Sequence, residues 1–80
     1  MNPLERACRA LCELEGSIPG ATMDGKPLWQ DYLPEVRAVI DAIRQPSAAM
    51  VRATPEDRNR AIYPEDIWHA MIDAMMGEQP

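Results

Sequence analysis

Cys8, Cys12 and His69 are the residues of this chain whose side chains could bind a soft metal ion. Two thiols four residues apart lie on one face of a helix, so they could share a zinc ion. A structural zinc site takes four ligands, usually with closer C-x-x-C spacing, and these residues supply three. We therefore expect both cysteines to be small apolar core residues, and we predict no metal site and no cofactor.

His69 is also the candidate for general acid–base chemistry. Glu65 lies four residues before it and Asp73 four residues after it, on the same face of a helix. Carboxylates at that spacing favour a charged, solvated imidazolium held in ion pairs. A general base also needs a nucleophile or a substrate group in a pocket, and the sequence provides no such set. We predict that the protein is not an enzyme and has no catalytic residue.

A glycine-rich segment has the spacing of a phosphate-binding loop. Residues 20–26, GATMDGK, match G-x-x-x-x-G-K. Pro27 stands where such a loop needs Ser or Thr for magnesium, and no apolar strand precedes the glycines. We predict a tight turn at Asp24-Gly25 in place of a nucleotide site, and we expect no small-molecule substrate.

Arginines concentrate in residues 44–62, where four of them and two acidic residues give a local charge of +2, against −7 elsewhere. Arg52, Arg58 and Arg60 could contact a phosphate backbone, so a small DNA-binding regulator is one alternative. The helix that would enter the DNA groove is the acidic last one, which DNA repels. A solvated loop is the simpler interpretation, and we do not expect nucleic-acid binding.

The last predicted helix, residues 64–76, is apolar over well over half of its circumference. A stripe at helical spacing comprises Ile67, Ala70, Met71, Ala74 and Met75, and a flank comprises Trp68, Ile72 and Met76. One apolar face is enough to meet a small core, so the flank needs another explanation. It could complete the core, join copies in a homo-oligomer or bind a different protein. The candidate contact residues are Trp68, Ile72, Met75 and Met76.

The first predicted helix, residues 3–15, has clear start and stop signals. Asn2 is a suitable N-cap, Pro3 suits the first helical position and Gly16 follows the end. Apolar residues at helical spacing predict one buried stripe of Leu4, Ala7, Cys8, Leu11 and Leu14.

The central predicted helix, residues 31–44, begins close to a proline. Proline costs little in the first turn, so we expect Asp31 as N-cap and Pro34 just inside the helix. Trp29 is in phase with the apolar stripe and would pack over the helix start as a hydrophobic staple. The predicted buried stripe comprises Tyr32, Leu33, Val36, Val39, Ile40 and Ile43.

These elements predict an all-α fold in one domain, residues 1–80. No segment alternates with period two for more than a few residues, so no sheet is expected. A short helical connector carrying Met50 and Val51 joins the central and last helices, and Thr54-Pro55 starts a further helical turn. We expect a small helical bundle of three main helices plus the short connector.

Composition narrows the class of protein. With 80 residues, 46% of them hydrophobic and 26% charged, the chain is typical of a small globular domain. Its net charge of −5 opposes general binding to nucleic acid. The sequence shows no signal peptide, no apolar run of about 18 residues and no disulfide framework. We expect a cytoplasmic protein that does not bind membranes.

Three segments carry a resemblance: ERACRALC at residues 5–12, the stretch 27–50, and WHAMIDA at residues 68–74. They resemble small uncharacterised proteins of alphaproteobacteria and their phages or prophages, with the patterns ERAxRALC, PxWxxYxPEVRAVxxAIRxPSxxM and WxAMIDA. The resemblance covers nearly the whole chain, and residues 54–63 are expected to vary. It implies a bacterial or phage origin and residence in the host cytoplasm, and it brings no activity and no site residue.

Charge, apolar pattern and resemblance together predict a non-enzymatic protein–protein interaction module, phage-encoded or phage-derived. It would act through an acidic helical surface and the apolar flank of its last helix. An alternative is an inhibitor of host defence, of the anti-CRISPR type, whose acidic face mimics nucleic acid. That alternative requires an open face with regularly spaced Asp and Glu.

Overall fold

The computed structural model describes residues 1–53 and 63–79, and most of these residues are helical. The fold is small and all-α, as predicted. Its contacts cluster in two compact units, Met1–Arg44 and Gln45–Pro80. The assignment of the chain to a single domain stays a prediction. The helices are α1 (Pro3–Leu14), a 3₁₀ helix (Leu28–Tyr32), α2 (Leu33–Ala42), α3 (Ala48–Arg52) and α4 (Pro64–Met76).

Helix α1 begins with the predicted cap. The Asn2 side chain accepts a hydrogen bond from the Glu5 backbone N–H at 2.8 Å, and Pro3 occupies the first turn. Cys8 and Cys12 are completely buried, which confirms their prediction as core residues. These two side chains define the centre of the buried face.

The prediction that Leu14 belongs to the buried stripe of α1 is wrong. Its side chain is 82% exposed. At 100° per residue, Leu14 lies about 140° around the helix from the line through Cys8 and Cys12. The 3₁₀ helix packs against α1, and the Arg9 side chain lies over the ring of Trp29 in that helix. The covered face of α1 therefore lies nearer to Arg9 than the apolar pattern alone indicated.

A two-stranded antiparallel hairpin follows α1. Strands β1 (Thr22–Met23) and β2 (Lys26–Pro27) are paired, and the predicted turn at Asp24-Gly25 joins them. Asp24 has φ 54° and Gly25 φ 79°, the two positive values that a type I′ hairpin turn requires. The segment with P-loop spacing is therefore a short hairpin, an element that the helical prediction did not include.

The 3₁₀ helix runs directly into α2, and this changes the predicted helix start. The N-cap of α2 is Tyr32 in place of Asp31, and no side chain caps the helix. The Leu33 N–H bonds to the Gln30 carbonyl, so the backbone is already helical where a separate cap was expected. Pro34 does lie in the first turn, as predicted.

The apolar stripe of α2 is buried unevenly along its length. Val36 is 6% exposed, whereas Val39 is 60% and Ile40 49% exposed, so the prediction that both are buried is wrong. Helix α1 and the 3₁₀ helix pack against α2. Helix α2 ends at Ala42, two residues before the predicted end.

In the second unit, α3 and α4 pack together. Helix α3 is the predicted short connector; Ser47 caps it by accepting from the Met50 N–H at 3.2 Å. Met50 is buried, and the Ser47 hydroxyl donates to Glu78 at 3.1 Å. Helix α4 has the predicted bounds, whereas the helical turn predicted at Thr54-Pro55 lies outside the described residues.

None of the helices in residues 1–53 and 63–79 combines the length and the apolar character that crossing a membrane requires.

Candidate interaction surface on the last helix

Three apolar side chains form a ridge along α4. Trp68, Ile72 and Met76 are spaced by four residues, so they follow one another along the helix surface over about 12 Å. Trp68 is 64% exposed and Met76 77% exposed, while Ile72 is partly buried. We call this set the α4 ridge. Met75, the fourth predicted contact residue, is partly buried beside it.

A stripe beside the ridge accounts for the packing of α4 within the unit. Helix α3 contacts α4, and the buried side chain of Met50 belongs to α3. The partly buried positions of α4 include every residue of the predicted stripe: Ile67, Ala70, Met71, Ala74 and Met75. The stripe is thus the core face of α4, and the two ends of the ridge lie outside it.

Acidic side chains flank the α4 ridge. Glu65, Asp66 and Asp73 are all exposed, and α4 contains no lysine or arginine. Exposed apolar area with one sign of charge beside it favours a partner surface of the opposite sign. The electrostatic character of this surface is therefore negative.

His69 is exposed on α4, next to the ridge. Over residues 1–53 and 63–79, the one ion pair within 4.0 Å joins Arg9 to Glu5, at 3.0 Å. The ion pairs predicted for His69 with Glu65 and Asp73 are therefore not formed. The side chain is free to contact a partner together with the ridge.

Cys8 and Cys12 are two of the three candidate metal ligands that the sequence offers. Both are free thiols, buried in the first unit, while His69 belongs to the second. In the part of the chain that the structure describes, no three His, Cys, Asp or Glu side chains are grouped as metal ligands. Burial raises the pKa of the Cys8 thiol, which keeps it in the neutral, unreactive form.

The predicted nucleic-acid contacts are described only in part. Arg52 lies exposed in the last turn of α3. Arg58 and Arg60 lie outside the described residues. The contact of these three residues with nucleic acid stays a prediction.

Sequence reasoning missed a hydrogen bond that joins the end of α1 to the 3₁₀ helix. The Tyr32 hydroxyl donates to the Glu15 carboxylate at 2.6 Å. This bond to a charged acceptor is the main reason that the pKa of Tyr32 rises to about 12. No sequence signal indicated the pair, because the two residues are 17 positions apart and both suited other roles.

Sequence reasoning also missed an open groove in the first unit, which we call the α2 groove. It is lined by Leu4 of α1, by Pro34, Arg37, Ala38, Ile40 and Asp41 of α2, and by Arg44 just beyond the end of α2. The signal was present as two arginines seven residues apart, which the predicted helix 31–44 would place on the same side.

Comparisons of the chain with protein-family models, with curated proteins and with solved structures gave no significant match. Function is therefore inferred from the two surfaces of the described residues.

Proposed function

We propose that the protein is a non-enzymatic interaction module that binds a partner protein through the α4 ridge. The observation that carries this proposal is the exposure of Trp68 and Met76 on a helix that already packs on α3 through other residues. Tryptophan is the residue most enriched at the energetic centres of protein interfaces, and methionine adapts to irregular partner surfaces. An apolar ridge of this kind suits insertion into a groove of the partner.

The charges beside the ridge restrict the type of partner that it can bind. Two copies of α4 would bring Glu65, Asp66 and Asp73 of each copy close to the same residues of the other, and like charges oppose such pairing. A different protein, with an apolar groove bordered by lysine or arginine, satisfies both the ridge and its acidic flank. We therefore assign the ridge to a heterologous partner in preference to a homo-oligomer.

The resemblance to alphaproteobacterial and phage proteins supports a setting for this interaction. The module is phage-encoded or phage-derived, and it acts in the cytoplasm of the bacterial host cell. Its net charge of −5 favours selection of a basic partner over acidic ones.

Affinity capture with matched variants tests the proposal. Immobilised wild-type chain, Trp68→Ala and Leu14→Ala are exposed to a lysate of an alphaproteobacterium, and captured proteins are compared. Leu14 is 82% exposed in the first unit, so Leu14→Ala removes a comparable exposed apolar side chain elsewhere. We expect a protein that the wild type and Leu14→Ala capture and Trp68→Ala does not. Capture that is equal for all three baits contradicts the proposal.

Sedimentation equilibrium of the purified chain tests the choice of partner. The acidic flank predicts a monomer at concentrations of about 100 µM, because self-pairing of α4 is opposed by charge. A dimer that Trp68→Ala dissociates would assign the ridge to a second copy and refute the heterologous partner.

One observation favours the inhibitor of host defence as a second candidate. Glu15, Asp31 and Glu35 line a common depression in the first unit, beside Tyr32. Three carboxylates on one side are the beginning of the acidic face that a nucleic-acid mimic requires. The test is competition: the chain would displace duplex DNA or RNA from a bacterial nuclease, and Glu15→Gln with Glu35→Gln would abolish the displacement.

A further inference from the structure

The α2 groove is a second surface, and its charge is opposite in sign to that of the residues beside the α4 ridge. Its lining includes the apolar side chains of Leu4, Ala38 and Ile40, and the last of these is 49% exposed. Arg37 lies in α2, and Arg44 lies two residues beyond the end of the helix. The backbone bond from the Arg44 N–H to the Asp41 carbonyl continues the turn, which keeps Arg44 on the same groove.

Both guanidinium groups of the groove are available to a ligand. Asp41 also lines the groove, between the two arginines in sequence, yet neither arginine forms an ion pair within the described residues, where Arg9–Glu5 is the one such pair. The lining therefore has a charge of +1 in a chain whose net charge is −5. Guanidinium groups bind carboxylates in a bidentate geometry, which fixes the orientation of the carboxylate as well as attracting it.

The arrangement of these groups matches one type of ligand. Arg37 lies in α2 and Arg44 lies just beyond its end, so the apolar residue Ile40 falls between the two arginines along the chain, and all three line the groove. A partner helix with a carboxylate near each end of an apolar patch presents the complementary pattern. We propose that the α2 groove docks an acidic amphipathic helix of a partner protein.

Two surfaces of opposite charge make the chain an adaptor. The α4 ridge selects a basic partner, and the α2 groove selects an acidic one. Because the groove lies in the first unit and the ridge in the second, the groove proposal does not depend on the proposed function of α4.

A titration followed by NMR tests the groove with the full-length, ¹⁵N-labelled chain. The probe is a synthetic 14-residue amphipathic helix with leucines on one face and glutamates seven residues apart beside them. The matched probe has lysine in place of each glutamate. We expect the acidic peptide to shift the amide signals of Arg37, Ala38, Ile40 and Arg44, with at least fivefold higher affinity than the basic peptide.

Variants of the chain make the test specific. Arg37→Glu with Arg44→Glu reverses the charge of the groove, and Arg6→Glu with Arg52→Glu gives the same net charge at other exposed positions. We expect the first pair to reverse the preference between the peptides and the second pair to preserve it. We expect circular dichroism to show that both variants keep their helices, because all four positions are exposed.

The proposal would be overturned by the absence of shifts at the groove with 1 mM acidic peptide, by equal affinity for the two peptides, or by unchanged binding by the groove variant. Shifts confined to α4 would overturn it as well, because they would place the acidic peptide on a different surface.

Discussion

The hydrogen bond from Tyr32 to Glu15 fixes the junction between two helices through a single pair of side chains. Its donor lies at the end of the 3₁₀ helix, and its acceptor is the residue that caps the end of α1. The charged acceptor stabilises the neutral phenol, so the pKa of Tyr32 rises to about 12. The bond is therefore sensitive to high pH.

We expect an ultraviolet titration to show Tyr32 ionising near pH 12. Tyr63→Phe leaves Tyr32 as the remaining tyrosine, so its phenolate absorbance is measured alone. Because the folded pKa is above the unfolded value of about 10, the stabilisation by this bond is complete below pH 10. It is lost as the pH rises from about 10 to about 12.

Glu15→Gln is the control for this titration. It keeps an oxygen acceptor and removes the negative charge, so the pKa of Tyr32 should fall toward about 10. A pKa near 12 that persists in Glu15→Gln would show that the carboxylate is not its cause.

Cys8 and Cys12 should resist thiol reagents as long as the chain is folded. Both side chains are fully buried, and burial raises the pKa of Cys8. Modification by a chromogenic disulfide then requires local opening. We expect it to be at least about tenfold slower than for an exposed cysteine on the same helix.

Ala10→Cys supplies that exposed cysteine, because Ala10 lies on the exposed side of α1. In a variant that also carries Cys8→Ala and Cys12→Ala, the introduced thiol gives the modification rate of an exposed cysteine. Equal rates for the native and introduced thiols in the folded chain would disprove the burial of the native pair.

The sequence predicted the burial of a side chain best where a single property of the residue determined it. Free cysteine is among the residue types most often buried, and Cys8 and Cys12 are both buried. Leu14 was mispredicted because helical periodicity gives a stripe but does not give the direction from which other elements cover it. The Tyr32–Glu15 bond depends on a chain path through the hairpin, which local patterns do not encode.

At the scale of elements, the hairpin turn depends on left-handed backbone at two positions. Gly25 has φ 79° with open space around it, so an added methyl group meets no neighbour and the effect is conformational. We expect Gly25→Ala to lower the free energy of unfolding by about 1 kcal/mol in urea denaturation. Gly20 also faces open space without a positive φ, so Gly20→Ala should change it by less than about 0.5 kcal/mol.

The 3₁₀ helix depends on Trp29 for its attachment to α1. The ring is partly buried, and the Arg9 guanidinium carbon lies 5.7 Å from the ring centroid. We expect Trp29→Ala to lower the free energy of unfolding by about 1–3 kcal/mol, less than for a fully buried aromatic residue. Urea denaturation followed by circular dichroism measures it.

Trp68→Ala is the matched variant for this comparison. Trp68 is 64% exposed, so its removal should change the free energy of unfolding by less than about 0.5 kcal/mol. If the two tryptophan variants lost equal stability, the distinction between a packing residue and a surface residue would fail.

Helix positions followed from the sequence because caps and prolines are local signals. Prolines in the first turn mark α1, α2 and α4, and Asn2 and Ser47 form the expected type of cap. The start of α2 and the exposure of Val39 and Ile40 did not follow, because both depend on the neighbouring 3₁₀ helix and on how far the covering elements extend.

At the scale of the whole molecule, the chain presents two surfaces of opposite charge, one in each unit. The acidic α4 ridge was predictable because α4 carries more apolar residues than one packed face can use. The two arginines of the α2 groove are visible in the sequence, but the groove itself was not predictable, because its lining includes Leu4 and Ile40, which the sequence assigned to the core.

The affinity of the captured partner for the α4 ridge tests the central claim most directly. Calorimetric titration compares the wild type with Trp68→Ala, Asp73→Lys and the control Leu14→Ala. A tryptophan at the centre of an interface contributes about 2 kcal/mol or more, so Trp68→Ala should weaken binding at least about 30-fold. Asp73→Lys should weaken binding by a smaller factor than Trp68→Ala, and that factor should grow as the salt concentration is lowered. Leu14→Ala should leave the affinity unchanged. Equal affinities for the wild type and Trp68→Ala would contradict the assignment of α4 as the binding surface.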